Sequence, residues 1–171
     1  MRQTRIPDSL DDLAAKSFGE LEQMYRAAPP PAKLSAVDGP LKGRMLAVRG
    51  LRGPVAGALR RFAASESFVW DGKTFHSEGK QSGRGINRIA LGSVLGRQDL
   101  FPFTTSIGPS VVDGRDAIIL DYDHPENPPY IRKIHDEIRE VSPGVYLGPA
   151  MWKRASTPAT VLWFALDTGR R

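Results

Sequence analysis

The chain has 171 residues, a formal net charge of +5, 40% apolar and 25% charged residues, and no cysteine. That balance excludes a disordered chain, and the missing thiols exclude disulfides and thiolate metal sites. No run approaches the roughly 18 apolar residues of a membrane-spanning helix, and Met1 to Ser9 lacks the apolar core of a signal peptide.

The expected compartment is therefore the cytoplasm, and the length suits one domain that needs no staples. Basic residues are spread along the chain. The densest segment holds Lys42, Arg44, Arg49, Arg52, Arg60 and Arg61 without an acid. No helix-turn-helix, RNP or zinc-finger pattern accompanies it, so it reads as a solvated face and nucleic acid is not an expected partner.

Leu10, Leu13, Ala14, Phe18, Leu21, Met24 and Tyr25 recur at helical spacing. They predict one amphipathic helix, capped by Asp8 or Ser9, weakened at Gly19 and stopped by Pro29-Pro30-Pro31. Residues 1–31 are expected to pack on a barrel formed by residues 32–171. Gly39 to Val48 reads as a turn entering a first strand, followed by a short helix from Val55 to Ala64.

Phe68 to His76 reads as a hairpin turning at Asp71-Gly72, because both central residues of such a turn need positive φ. Phe68, Trp70 and Phe75 then share one face, with Val69, Thr74 and His76 on the other. Gly79 to Gly85 reads as a loop that lacks the third glycine and Lys-Ser/Thr ending of a phosphate loop. Extended segments follow at Ile86–Leu91 and Phe101–Ile107. A second Asp-Gly hairpin is expected over Val111 to Leu120.

Asp121, Asp123, His124 and Glu126 fall in a proline-broken loop, a poor frame for a metal, and no metal or cofactor is expected. Asn127 is placed to cap a short helix with Ile131 and Ile134 inward. A hairpin at Pro143-Gly144 and a final strand, Thr160 to Leu166, complete the chain. About eight short strands without strand–helix alternation favour a closed antiparallel barrel, which has no exposed edge and is just wide enough for a small ligand.

Gly39-Pro40-Leu41-Lys42-Gly43-Arg44 resembles the opening motif of small bacterial GXWXG-type domains, with Leu41 where their tryptophan would stand. Asp71 to Phe75, Ile119 to Asp123, Asp136 to Arg139, Leu147 to Met151 and Trp163 to Leu166 resemble their later segments in the same order. The resemblance implies a mainly β, calycin (lipocalin-like) barrel of about eight strands with a cavity. It implies no catalytic residues.

The expected function is binding of a small apolar or aromatic molecule, such as a hydrophobic dye, fatty acid or haem, in that cavity. The expected wall and anchors are Trp70, Phe68, Phe75, Tyr122, Arg139 and Tyr146. The alternative is an enzyme on the same cavity, an isomerase, cyclase or hydrolase, with His135, Asp136 and His76 as acid–base candidates. There is no Gly-x-Ser-x-Gly elbow or cysteine nucleophile. A homodimer, or a partner docking on the N-terminal helix and basic segment, is compatible with this reading.

Overall fold

The computed structural model describes residues 9–48, 69–90 and 92–170. Two helices, α1 (Leu10–Ala14) and α2 (Phe18–Ala27), precede the strands β1 (Gly39–Val48), β2 (Val69–Ser77), β3 (Ser82–Ala90) and β4 (Arg97–Pro109). These are followed by β5 (Asp116–Asp121), β6 (Ile134–Ser142), β7 (Val145–Trp152) and β8 (Ala159–Asp167). Each strand pairs antiparallel with the next, and β8 returns to β1. The result is a closed eight-stranded barrel. Single 3-10 turns at Leu34–Val37 and Ile131–Lys133 and a helical turn at Gly92–Leu95 fill the connections.

Side chains alternate between two apolar clusters. Leu41, Phe75, Phe103, Ile118, Leu120, Ile138 and Phe164 point into the barrel, where Leu34 and Val37 plug one end. Trp163, Val145, Leu147 and Ala165 point outward and pack against Leu13, Leu21 and Tyr25 of the helices. The Trp163 ring centroid lies 6.0 Å from that of Phe18 and 5.5 Å from that of Tyr25. The helices therefore close one outer face of the barrel.

Several sequence expectations are corrected. The N-terminal helix is two helices, and the break is made by Ser17 rather than Gly19. Ser17 accepts from the Glu20 amide, and Glu20 accepts from the Ser17 amide at 2.8 Å, so a new helix starts there. Asp71-Gly72 is not a turn: β2 runs straight through it. Gly72 (φ +129°) forms a bulge where the register to β3 shifts between Trp70 and Gly72. Ser82 to Gly85, expected in a loop, begin β3. Val111 and Val112 belong to the β4–β5 turn rather than to a strand. The Pro143-Gly144 turn lies between β6 and β7 as expected, with Gly144 at φ +74°. The expected helix Val55–Ala64 falls outside the described residues.

A buried polar layer joins α2 to the barrel wall. Glu137 accepts from the Tyr25 hydroxyl at 2.8 Å, the Val111 amide at 2.7 Å and the Ser110 hydroxyl, and lies 3.0 Å from His135 Nε2. Burial pushes its carboxyl up, but these hydrogen bonds outweigh burial and leave it below the usual carboxylate range. A carboxyl depressed in the fold stabilises it above the unfolded value, and that stabilisation is lost as pH falls through the folded value. Glu137→Gln turns one acceptor into a donor facing other donors and is expected to cost about 2 kcal/mol in urea unfolding at pH 7. The gap to the parent is expected to narrow as pH drops below the ordinary carboxylate value of 4.5.

Candidate functional site

The barrel end opposite the Leu34–Val37 plug holds a cavity of about 90 Å³. At about one water position per 10–15 Å³, this is room for roughly six to nine waters. Met45, Ile89, Phe101, Ile134, Leu162 and Phe164 make much of its wall apolar. Trp70, Lys73, Asn87, Tyr122 and Asp136 supply polar atoms.

The bulge at Gly72 is what aims Lys73 inward. Strict alternation from Trp70 would send Gly72 and Thr74 inside. The extra residue resets the phase, so Trp70, Lys73 and Phe75 all face the interior. Lys73 is 3% exposed, and its Nζ lies 5.2–5.3 Å from the ring centroids of Trp70, Phe103, Tyr122 and Phe164. Such rings favour a cation over their faces, but they do not replace its hydration.

The hydrogen bonds do that. Lys73 Nζ donates to Asn87 Oδ1 at 2.8 Å, to Asp136 Oδ2 at 3.1 Å and to the Tyr122 hydroxyl. The Tyr122 hydroxyl donates to Asp136 Oδ2 at 3.0 Å. Asn87 Nδ2 donates to Tyr122 at 3.2 Å and to the Phe101 carbonyl at 3.1 Å, and Asn87 Oδ1 also accepts from Trp70 Nε1 at 3.0 Å. Burial lowers the Lys73 ammonium below its ordinary value, with Asp136 opposing that shift. Burial and then the Asp136 charge push the Tyr122 phenol well up, so it stays a hydroxyl.

The structure sorts the sequence-predicted residues clearly. Trp70 and Tyr122 line the cavity, Tyr122 just beyond the end of β5, and Asp136 joins them. Phe75 and Tyr146 are interior core residues that do not touch the cavity. Phe68 falls outside the described residues.

Arg139 is a correction. It points outward from β6, because Asp136 and Ile138 take the inward positions. Its guanidinium holds both Asp113 carboxylate oxygens at 2.7 Å and the carbonyls of Tyr25, Arg115 and Asp116. His135 and Asp136 do not pair, since neighbours on a strand face opposite sides: His135 meets Glu137 outside and Asp136 meets Lys73 inside. His76 is exposed on the outer face. In the acidic loop Asp121 pairs with Lys153 and Asp123 with Arg132, each at 2.6 Å.

Lys73 and Asn87 went unrecognised in the sequence. The available signal was a lysine set between Trp70 and Phe75 in a strand of aromatics.

Fold and interior together define a closed antiparallel barrel with a small interior cavity and a buried lysine-centred polar cluster. No family model matches the chain, and no curated protein does. A solved structure, described as that of a protein from Thermomonospora curvata, is similar over 89% of this chain and 87% of that one. Its TM-score is 0.50 at 18% identity, a likeness of fold alone.

Proposed function

We propose that the protein binds a small, mostly apolar or aromatic molecule in the barrel cavity. The carrying observation is the mixed lining: apolar and aromatic walls with a few convergent polar groups, the usual make-up of a small-molecule site. The resemblance to GXWXG-type domains of calycin form agrees with this reading, and a cytoplasmic setting is part of the same proposal. The cavity size favours one-ring compounds over fatty acids or haem. A panel of one-ring aromatics is expected to yield a saturable binder by fluorescence titration. Trp70→Ala, which removes one wall, is expected to weaken it about tenfold or more, or about 1.4 kcal/mol. No saturable binder in the panel, or unchanged affinity in Trp70→Ala, counts against the proposal.

A second reading is an enzyme of proton transfer, such as an isomerase, on the same cavity. It is favoured by Tyr122 and Asp136 lying 3.0 Å apart beside Lys73 and open space. Under it, Tyr122 donates the proton and Asp136 receives one. Tyr122→Phe is then expected to lower turnover of a bound substrate at least a hundredfold while its affinity stays within a few-fold. Equal turnover in parent and variant leaves binding as the role.

A further inference from the structure

The polar cluster can be accounted for atom by atom. Lys73 has three N–H donors, and Asn87, Tyr122 and Asp136 take all of them. The Tyr122 oxygen accepts from Lys73 and Asn87 and donates its proton to Asp136. Both Asn87 amide protons are placed, on Phe101 and Tyr122, and its oxygen accepts from Lys73 and Trp70. Asp136 Oδ2 accepts from Lys73 and Tyr122. One oxygen is left over. Asp136 Oδ1 is buried in a residue that is 3% exposed and lines the cavity, and among the described residues no group donates to it.

We infer that the ligand of this cavity carries a neutral hydrogen-bond donor, a hydroxyl or N–H on a one-ring body, and gives it to Asp136 Oδ1. The inference rests on the binding role proposed above and narrows it. A carboxylate ligand finds no free donor among the described lining residues, because every proton of Lys73 is already engaged, and it adds an uncompensated charge to an apolar space. A cationic ligand places a second positive charge beside a carboxylate that Lys73 already neutralises at 3.1 Å. A pure hydrocarbon covers Oδ1 and leaves it unpaired. A site built to meet a substrate hydroxyl rejects the analogue lacking it for that reason. The indifferent ion pair thus acts as an acceptor for a neutral partner rather than as an anchor for a charged one.

The test is calorimetric titration with four one-ring compounds of similar size: p-cresol, toluene, benzoate and benzylamine. The expected result is that p-cresol binds at least tenfold more tightly than each of the others. In the double variant Lys73→Met/Asp136→Leu, which removes both charges together, p-cresol and toluene are expected to bind alike. Toluene, benzoate or benzylamine matching p-cresol on the unaltered protein overturns the inference and leaves the binding role standing. A preference for p-cresol that persists in the double variant overturns the assignment to Asp136. If none of the four binds at millimolar concentration, the binding role falls and this inference with it. Should the double variant fail to fold, the four affinities of the unaltered protein decide alone.

Discussion

Lys73→Met is expected to destabilise the protein by about 3–5 kcal/mol, read from urea unfolding at pH 7. Lys73 and Asp136 are both at most 3% exposed, and their charges meet at 3.1 Å inside a ring of aromatic side chains. Removing the ammonium leaves a carboxylate in an apolar interior with Tyr122 as its remaining donor. It also takes a donor from Asn87 Oδ1. Breaking one partner of a buried pair is costly, whereas replacing both by apolar residues of similar volume is often nearly neutral. Lys73→Met/Asp136→Leu is therefore expected to recover most of the loss. The double-mutant cycle isolates the coupling. A single variant within 1 kcal/mol of the parent, or a double variant no better than the single, means that the pair is not buried as described.

Gly72→Ala is expected to cost about 3–5 kcal/mol and to abolish binding in the cavity. A Cβ at Gly72 would overlap the Leu41 carbonyl oxygen of β1 and stand 2.7 Å from the Gly43 nitrogen. Both are backbone atoms of a neighbouring strand and cannot rotate away. The φ of +129° adds strain for any residue with a side chain. The chain relieves both by moving β2 away from β1 or by losing the bulge. Losing the bulge turns Lys73 out of the interior, because a one-residue slip exchanges the faces of a strand. Gly19→Ala is the control: nothing lies within 4 Å of its Cβ, and the residue sits inside α2, so a stabilisation of about 0.5–1 kcal/mol is expected. Unfolding midpoints of the two variants check this contrast. Equal stability of Gly72→Ala and the parent contradicts the bulge geometry.

The same glycine shows what was legible in the sequence. Asp-Gly marks a site of positive φ, and that much was right at Gly72. A hairpin turn and a bulge make the same demand, and nothing within nine residues of β2 separates them. The strand count and closure were legible because Pro143-Gly144 and the apolar run ending at Leu166 announce their elements locally. Trp70 and Phe75 share the interior face, as the hairpin reading expects, but through the bulge rather than a turn. Lys73 does not stand out in the sequence, because a lysine is almost never fully buried unless it is paired. Its partners, Asn87, Tyr122 and Asp136, are 14, 49 and 63 positions away. Such separation is invisible to any local pattern. The outward aim of Arg139 and the separation of His135 from Asp136 follow from simple alternation along β6, once Ile138 is taken as core. The break at Ser17 was also readable, as Ser-x-x-Glu followed by apolar residues.

The three indoles of the chain provide the most direct measurement. Trp70 Nε1 donates to Asn87 inside the cavity, whereas Trp163 is sealed under the helices and its Nε1 meets no partner among the described residues. Indole N–H signals in a ¹H–¹⁵N spectrum can be followed while p-cresol is added. The expected result is a saturable shift of the Trp70 signal with the Trp163 signal unmoved. A Trp70 signal that stays fixed up to millimolar ligand, or moves only linearly and in step with Trp163, contradicts a binding site in the barrel.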